Sequence, residues 1–222
     1  LRGGDEEAGN GVSTSAAAAQ SEEIAINEEN FPDENFRNFV LTGYANFDSI
    51  NGLDYRKIDY DGNHSLSSEE IAAVKSINCG GKEIGDLTGI GYFTALEKLE
   101  CPFNQLTELD VSKNRKLVRL HCGVNQLTEL DVSDNTALES LNCDWNQLTK
   151  LQLTKPDAGN NTALMGLNCE GNQLTKLDVS KNTALVSLYC NINQLTELNV
   201  GNNTALKYLV CGANQLKELV VR

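Results

Sequence analysis

The chain holds one methionine, one tryptophan, two histidines and three prolines in 222 residues. Two histidines, with no C-x2-C pair beside them, do not make a zinc site of the usual spacing. No apolar run approaches the roughly 20 residues that span a bilayer, so this chain inserts nothing into a membrane. Lysine and arginine number 18 and form no cluster. A phosphate-binding surface needs one, which argues against nucleic acid as a partner. There is no Ser-His-Asp set and no phosphate loop, and nothing else points to an enzyme. The chain opens at Leu1 and its only methionine is Met165, which predicts a processed or trimmed product. It carries no apolar signal-peptide core.

What is abundant is acid, and it is unevenly placed. The net charge is −13, and residues 1–70 hold 15 acidic against 4 basic side chains, leaving the remainder close to neutral. Residues 1–22, "LRGGDEEAGNGVSTSAAAAQSE", are small, polar and acidic. They cannot bury enough apolar surface to order themselves and read as a flexible leader. Residues 23–73 read as a helical cap. Phe36, Phe39, Val40, Tyr44 and Phe47 fall at helical spacing, with Pro32 at the helix start, where its missing N–H costs nothing. A second helix is expected after "SLSSEE", where Ser67 and Glu70 form a capping box. An array of stacked units needs such a cap to cover its first apolar edge.

From residue 74 the chain repeats itself. "CPFNQLTEL", "CGVNQLTEL", "CDWNQLTKL", "CEGNQLTKL", "CNINQLTEL" and "CGANQLKEL" begin at Cys101, Cys122, Cys143, Cys169, Cys190 and Cys211. Counting from Cys79, the cysteine spacings are 22, 21, 21, 26, 21 and 21, so seven units are present and the fourth is longer. Such self-similarity dictates the fold before any single residue does. Leu120 and Cys122 alternate with Arg119, His121 and Gly123, a strand signature, and "LTELDVS" alternates in the same way. The array stops mid-repeat at "LKELVVR", with no polar closing unit, which predicts that it continues in a longer protein.

LxxLxCxxNQL resembles the leucine-rich repeat pattern LxxLxLxxNxL with cysteine in the third position. The resemblance covers residues 71–222 in register. The "LTxLDVSxNTA" tail and the segment before the array are similar to surface or secreted leucine-rich repeat proteins of gut-type bacteria. The resemblance implies an α/β leucine-rich repeat solenoid, a right-handed superhelix of short parallel strands and turns with a small N-terminal helical cap. It also implies an extracellular or cell-surface recognition role towards an unknown protein or glycan, in place of catalysis. A purely structural spacer within a larger surface protein is the rival.

Within that pattern each cysteine takes an inward strand position and stacks on the next at about 4.8 Å, acting as a small apolar group. Stacked Cβ vectors point the same way, which disfavours disulfides. The pair His121–Cys122 cannot act as a dyad because neighbouring strand side chains face opposite ways. The asparagines of "NQL" and a second series, Asn114, Asn135, Asn161, Asn182 and Asn203, are expected to satisfy backbone groups at the corners.

Function must lie where the units differ. Reading outward positions across the units gives four columns: Lys98 to Tyr208, Glu100 to Val210, Pro102 to Gly212, and an edge column of Phe103, Val124, Trp145, Gly171, Ile192 and Ala213. Phe103, Arg119, His121, Trp145, Tyr189, Ile192 and Tyr208 are the candidate ligand contacts. Two readings of the edge column stand: an exposed apolar stripe that binds, or side chains tucked under the next turn. The insertion "TKPDAGNN" at 154–161 is a further surface loop.

One segment points to a metal. "DYDGNHSLSSEE", residues 59–70, resembles an EF-hand or dockerin-type calcium loop. Asp59, Asp61, Asn63, Ser65 and Glu70 stand at positions 1, 3, 5, 7 and 12. His64 replaces the usual glycine at position 6, where a positive φ is needed. Either the loop holds a structural calcium, or it is an acidic turn in which Glu70 only caps the helix. No other cofactor is implied.

Overall fold

The computed structural model describes residues 23–46, 55–155 and 161–221. The acidic leader, Phe47 and residues 156–160 of the insertion lie outside them.

Each unit contributes one short strand to a single sheet. These are β5 (Ser76–Asn78), β6 (Lys98–Glu100), β7 (Arg119–His121), β9 (Ser140–Asn142), β11 (Gly166–Asn168), β12 (Ser187–Tyr189) and β14 (Tyr208–Val210). They pair parallel and in register, Leu99 beside Leu120, Leu120 beside Leu141, and so on to Leu209. The central residue of each strand, Ile77 in β5 and leucine in the others, points inward and its two neighbours point out, as in β9, where Leu141 is buried between exposed Ser140 and half-buried Asn142. The second halves of the units form separate two-stranded parallel sheets, β8 (Glu129–Asp131) with β10 (Lys150–Gln152) and β13 (Glu197–Asn199) with β15 (Glu218–Val220). The fold is a parallel-strand solenoid of about seven turns.

All seven cysteines are free, and six are buried. Desolvation pushes the thiols of Cys79, Cys122 and Cys190 up to about 12 and raises those of Cys101, Cys143 and Cys169 as well. Cys211 departs from the expected buried column. It is half-buried, as are Leu206, Leu209 and Leu216, because no neighbouring coil lies on that face within this chain.

The two asparagine series do different work. In the first, Asn146 Nδ2 donates to the carbonyls of Cys122 (3.1 Å), Cys143 (3.2 Å) and Asp144 (3.1 Å), while its Oδ1 accepts the Leu127 N–H at 3.0 Å. Asn125, Asn172, Asn193 and Asn214 repeat the pattern. In the second series only the amide N–H groups are engaged. Asn135 Nδ2 donates to Val111 and Asn114 carbonyls, and the Oδ1 atoms of Asn114, Asn135, Asn161, Asn182 and Asn203 have no partner among the described residues.

The cap is less helical than its periodicity predicts. Helix α1 covers Glu34–Thr42, capped by Asp33, whose Oδ1 accepts the Phe36 N–H at 2.8 Å. Pro32 precedes that cap and is not the first helical residue. Tyr44 is not helical but opens β2 (Tyr44–Asn46). Two causes act together. A Cβ at Gly43 would lie 2.3 Å from the Phe39 carbonyl, so the chain turns out of the helix at a residue without one. The next segment then gains ladder bonds with β3 (Tyr55–Lys57) and with β5, both antiparallel. Tertiary pairing overrides helical spacing there. The main sheet therefore has nine strands among the described residues, closed at one end by this hairpin. β1 (Ile24–Ala25) pairs antiparallel with β4 (Ser65–Leu66), and the short helix α2 (Ser68–Ala73) follows with the expected capping box. Cap and array are locked by Asp33, whose Oδ2 accepts the N–H groups of Gly85 (2.8 Å) and Asp86 (3.2 Å), and by Phe31 packed between Phe36 and Tyr92.

Candidate functional site

The strand register places the outward columns side by side as the repeats require. Arg119, Ser140, Gly166, Ser187 and Tyr208 form one row, and His121, Asn142, Asn168, Tyr189 and Val210 the next. The candidate contacts are thus brought to one face but not to one pocket. Arg119 and Tyr208 are separated by four strand steps, roughly 19 Å at the usual strand spacing. Phe103, Trp145, Ile192 and Tyr208 are exposed at 63%, 52%, 41% and 61%. Arg119 and Tyr189 are exposed and His121 is half-buried. Lys98 is engaged by Glu100 at 2.7 Å.

The edge column carries a feature that alternation alone does not show. Phe103, Val124, Trp145, Ile192 and Ala213 all lie at φ between 48° and 56°, and Gly171 of the same column at 66°. The turn is imposed by the stacking. Backbone N–H groups of Phe103, Val124, Trp145 and Ile192 donate to carbonyls of the following coil at 2.8–3.1 Å. A left-handed L-residue costs roughly 1–2 kcal/mol, and β-branched residues such as Val124 and Ile192 are outliers there. The two glycines of the column, Gly81 and Gly171, were the signal in the sequence that this position needs a positive φ.

Gly171 also makes room. A Cβ on it would sit 2.9 Å from the Trp145 ring, so the indole lies over Gly171 while half its surface stays open. Trp145 thus packs on the next coil and still exposes half its surface. Asp144 leans the other way. A Cβ on Gly123 would collide with Asp144 Oδ1, so the absence of a side chain there makes room for the carboxylate. That oxygen has no partner among the described residues, and Oδ2 accepts from Asn168 Nδ2 at 3.3 Å. Burial raises the Asp144 pKa, the neighbouring His121 opposes the rise, and Glu170 adds to it.

The calcium-like loop lies in the cap. Asp59, Asp61 and Glu70 each bring one carboxylate oxygen within 4.8 Å of the others, with Asp59 and Glu70 buried and Asp61 exposed. His64 adopts φ 64°, the conformation that position 6 demands. Asp59 accepts the N–H groups of Gly62 and His64, and Asn63 Oδ1 accepts that of Ser65. Glu70 accepts from Tyr60 N–H through Oε1 and from the Ser67 N–H and hydroxyl through Oε2. Each carboxylate oxygen has more than one lone-pair site, so the donor set fits a hard cation while Glu70 also caps α2. A separate cleft of about 560 Å³ runs beside β8 and β10, lined by Glu108, Asp110, Asp131 and Asp134. None of the candidate contacts lines it.

No family model matches the chain. Internalin J of Listeria monocytogenes serotype 4b (strain F2365) is 36% identical over 84 residues, which is 38% of this chain and 8% of that protein. The solved functional domain of InlJ from Listeria monocytogenes, which includes a cysteine ladder, is 29% identical, with 90% of this chain and 49% of that one covered and a TM-score of 0.43. YopM from Yersinia enterocolitica WA-314 is 26% identical, with 67% and 30% covered and a TM-score of 0.55. This chain spans half or less of each of them. The repeat, the parallel stacking and these likenesses define a leucine-rich repeat solenoid. Its repeats of about 21 residues are similar to those of internalin-like bacterial proteins.

Proposed function

We propose that the chain is a non-enzymatic recognition module that binds a protein or glycan through the outward face of its main sheet, displayed on or secreted from a bacterial cell. The observation that carries this is the division of labour within each unit. Leucine, cysteine and asparagine recur at the inward positions, while the outward positions vary and present exposed Phe103, Trp145, Tyr189 and Tyr208. Aromatic side chains bury large area at small entropic cost and dominate binding energy when they anchor an interface. Likeness to internalin-like bacterial proteins supports a surface recognition role. The thiols are poor candidates for catalysis, since six of the seven are buried and desolvation raises their pKa values. No helix of the described residues is long and apolar enough to cross a membrane.

The test is a panel of purified extracellular proteins and a glycan array, probed with the wild-type chain and with Trp145→Ala/Tyr208→Ala. Capture lost at an unchanged melting temperature supports recognition. No capture at all returns the chain to a spacer role, and capture indifferent to both substitutions removes these two side chains from the binding face. We propose as well that residues 59–70 hold one calcium ion in a structural role through Asp59, Asp61, Asn63, Ser65 and Glu70. The support is the convergence of the carboxylates and the left-handed His64.

A further inference from the structure

We propose that the left-handed edge column is a docking strip for an extended apolar stretch of a protein partner, one bearing a basic side chain opposite Asp144 and Glu170. This rests on the recognition reading above and adds to it the location, the partner class and the partner's charge.

The first argument is that the strip is costly to keep. The turn leaving each strand needs a positive φ, and Gly81 and Gly171 show that glycine fits it. Val124 and Ile192 nonetheless occupy it with 36% and 41% of their surface exposed. Each thus holds part of an apolar side chain in water on a strained backbone, which offsets what its buried part contributes. Strain of this sort concentrates where a fold holds side chains for a ligand. The second argument is continuity. Trp145 spreads over Gly171, closing the one gap between Val124 and Ile192. Phe103, Val124, Trp145 and Ile192 then form an unbroken apolar row over four strand steps, about 19 Å at the usual spacing, the length of roughly six extended residues.

The third argument separates protein from sugar. Val124 and Ile192 have neither a π-face nor a polar atom. A glycan laid along them would leave hydroxyls desolvated and unpaired, whereas apolar side chains lose nothing. The fourth is charge complementarity. Asp144 and Glu170 immediately precede the middle of the strip on adjacent coils. Asp144 and Glu170 are both half-buried, and burial raises the Asp144 pKa, with His121 opposing the rise and Glu170 adding to it. A lysine or arginine seated over the exposed parts of these two acids would offset their mutual repulsion, beside the Trp145 ring.

The experiment uses the full chain with two independent readouts. Thermal denaturation of Val124→Gly and Ile192→Gly needs no ligand, and the midpoint is expected to hold or rise. In parallel, a displayed random-peptide library is panned on the wild-type chain and on Val124→Gly/Ile192→Gly. Enriched peptides are expected to be apolar with a lysine or arginine, to bind the double variant at least tenfold more weakly, and to weaken with Asp144→Asn and with added salt. A midpoint lowered by several degrees in either glycine variant overturns the proposal by showing that the strip is packing. So does the absence of enrichment, or enrichment of acidic sequences. Glycan-array binding that depends on Trp145 but not on Val124 or Ile192 would assign the face to sugar. A protein that binds the chain and is indifferent to these substitutions would leave the recognition reading standing and remove the strip from it.

Discussion

Replacing Asn146 separates the hydrogen-bonding role of the first asparagine series from mere space filling. Asn146 makes four hydrogen bonds, but its partners do not depend on it equally. The Cys122 carbonyl also accepts from Asn125, that of Cys143 from Asn172 and that of Asp144 from the Val124 N–H. The Leu127 N–H has Asn146 Oδ1 as its one partner. Asn146→Ala therefore leaves one buried donor orphaned, at about 1–3 kcal/mol, and weakens three carbonyls that stay paired. With the small void added, a loss of roughly 2–4 kcal/mol follows. Asn146→Asp is nearly isosteric and should be worse at neutral pH. It keeps the acceptor for Leu127 but turns the three-way donor into an oxygen facing three carbonyls at 3.1–3.2 Å. That site raises the new carboxyl's pKa, so the variant should regain stability as pH falls and the acid takes up a proton. Urea denaturation followed by Trp145 fluorescence reads the same coil, because Trp145 is the chain's only tryptophan. An aspartate variant as stable as the alanine variant at pH 7, or an alanine variant losing under about 1 kcal/mol, would refute the reasoning.

Three shorter expectations follow from the same geometry. A thiol reagent should find one group, Cys211, in the native chain and seven after denaturation; two or more in the native state would contradict the buried column. Asp144→Asn should raise the melting temperature at neutral pH. A carboxyl whose pKa is raised on folding contributes most below its unfolded value and loses that contribution as pH rises through the folded value. The gain should therefore vanish in acid, and a gain that persists there would point to another cause. Millimolar calcium should raise the melting temperature of the wild-type chain, with a Kd of about 10⁻⁵ to 10⁻³ M. Asp59→Ala with Glu70→Gln should abolish the rise, and calorimetry showing no heat would leave Glu70 with its capping role alone.

The array was legible in the sequence because repetition reports three-dimensional neighbours directly. Once Cys101 and Cys122 are known to be equivalent, the pairing of Leu99 with Leu120 follows. The cap was legible only where its chemistry is local. The Ser67–Glu70 capping box needs no partner outside its own turn, whereas Tyr44 is drawn into a strand by residues that no local pattern names. The edge column was located correctly as a row of outward positions. Its backbone conformation was not, because bulky apolar residues at four of its positions masked the glycine preference visible at Gly81 and Gly171. The second asparagine series was placed at a corner, but its idle Oδ1 atoms depend on which backbone groups face it, and spacing does not encode that.

The double engagement of Asp33, with one carboxylate oxygen on the Phe36 N–H and the other on Gly85 and Asp86, bears on how such a molecule is made. A ribosome delivers the N-terminus first, and structure forms as the chain emerges. Here the first completed element is the one that can accept a coil, and each coil added offers the next a finished edge of backbone donors and acceptors. No unit has to wait for a distant part of the chain to be synthesised, so the growing protein at no point needs to expose more than one unfinished coil. The order of translation and the order of stacking coincide.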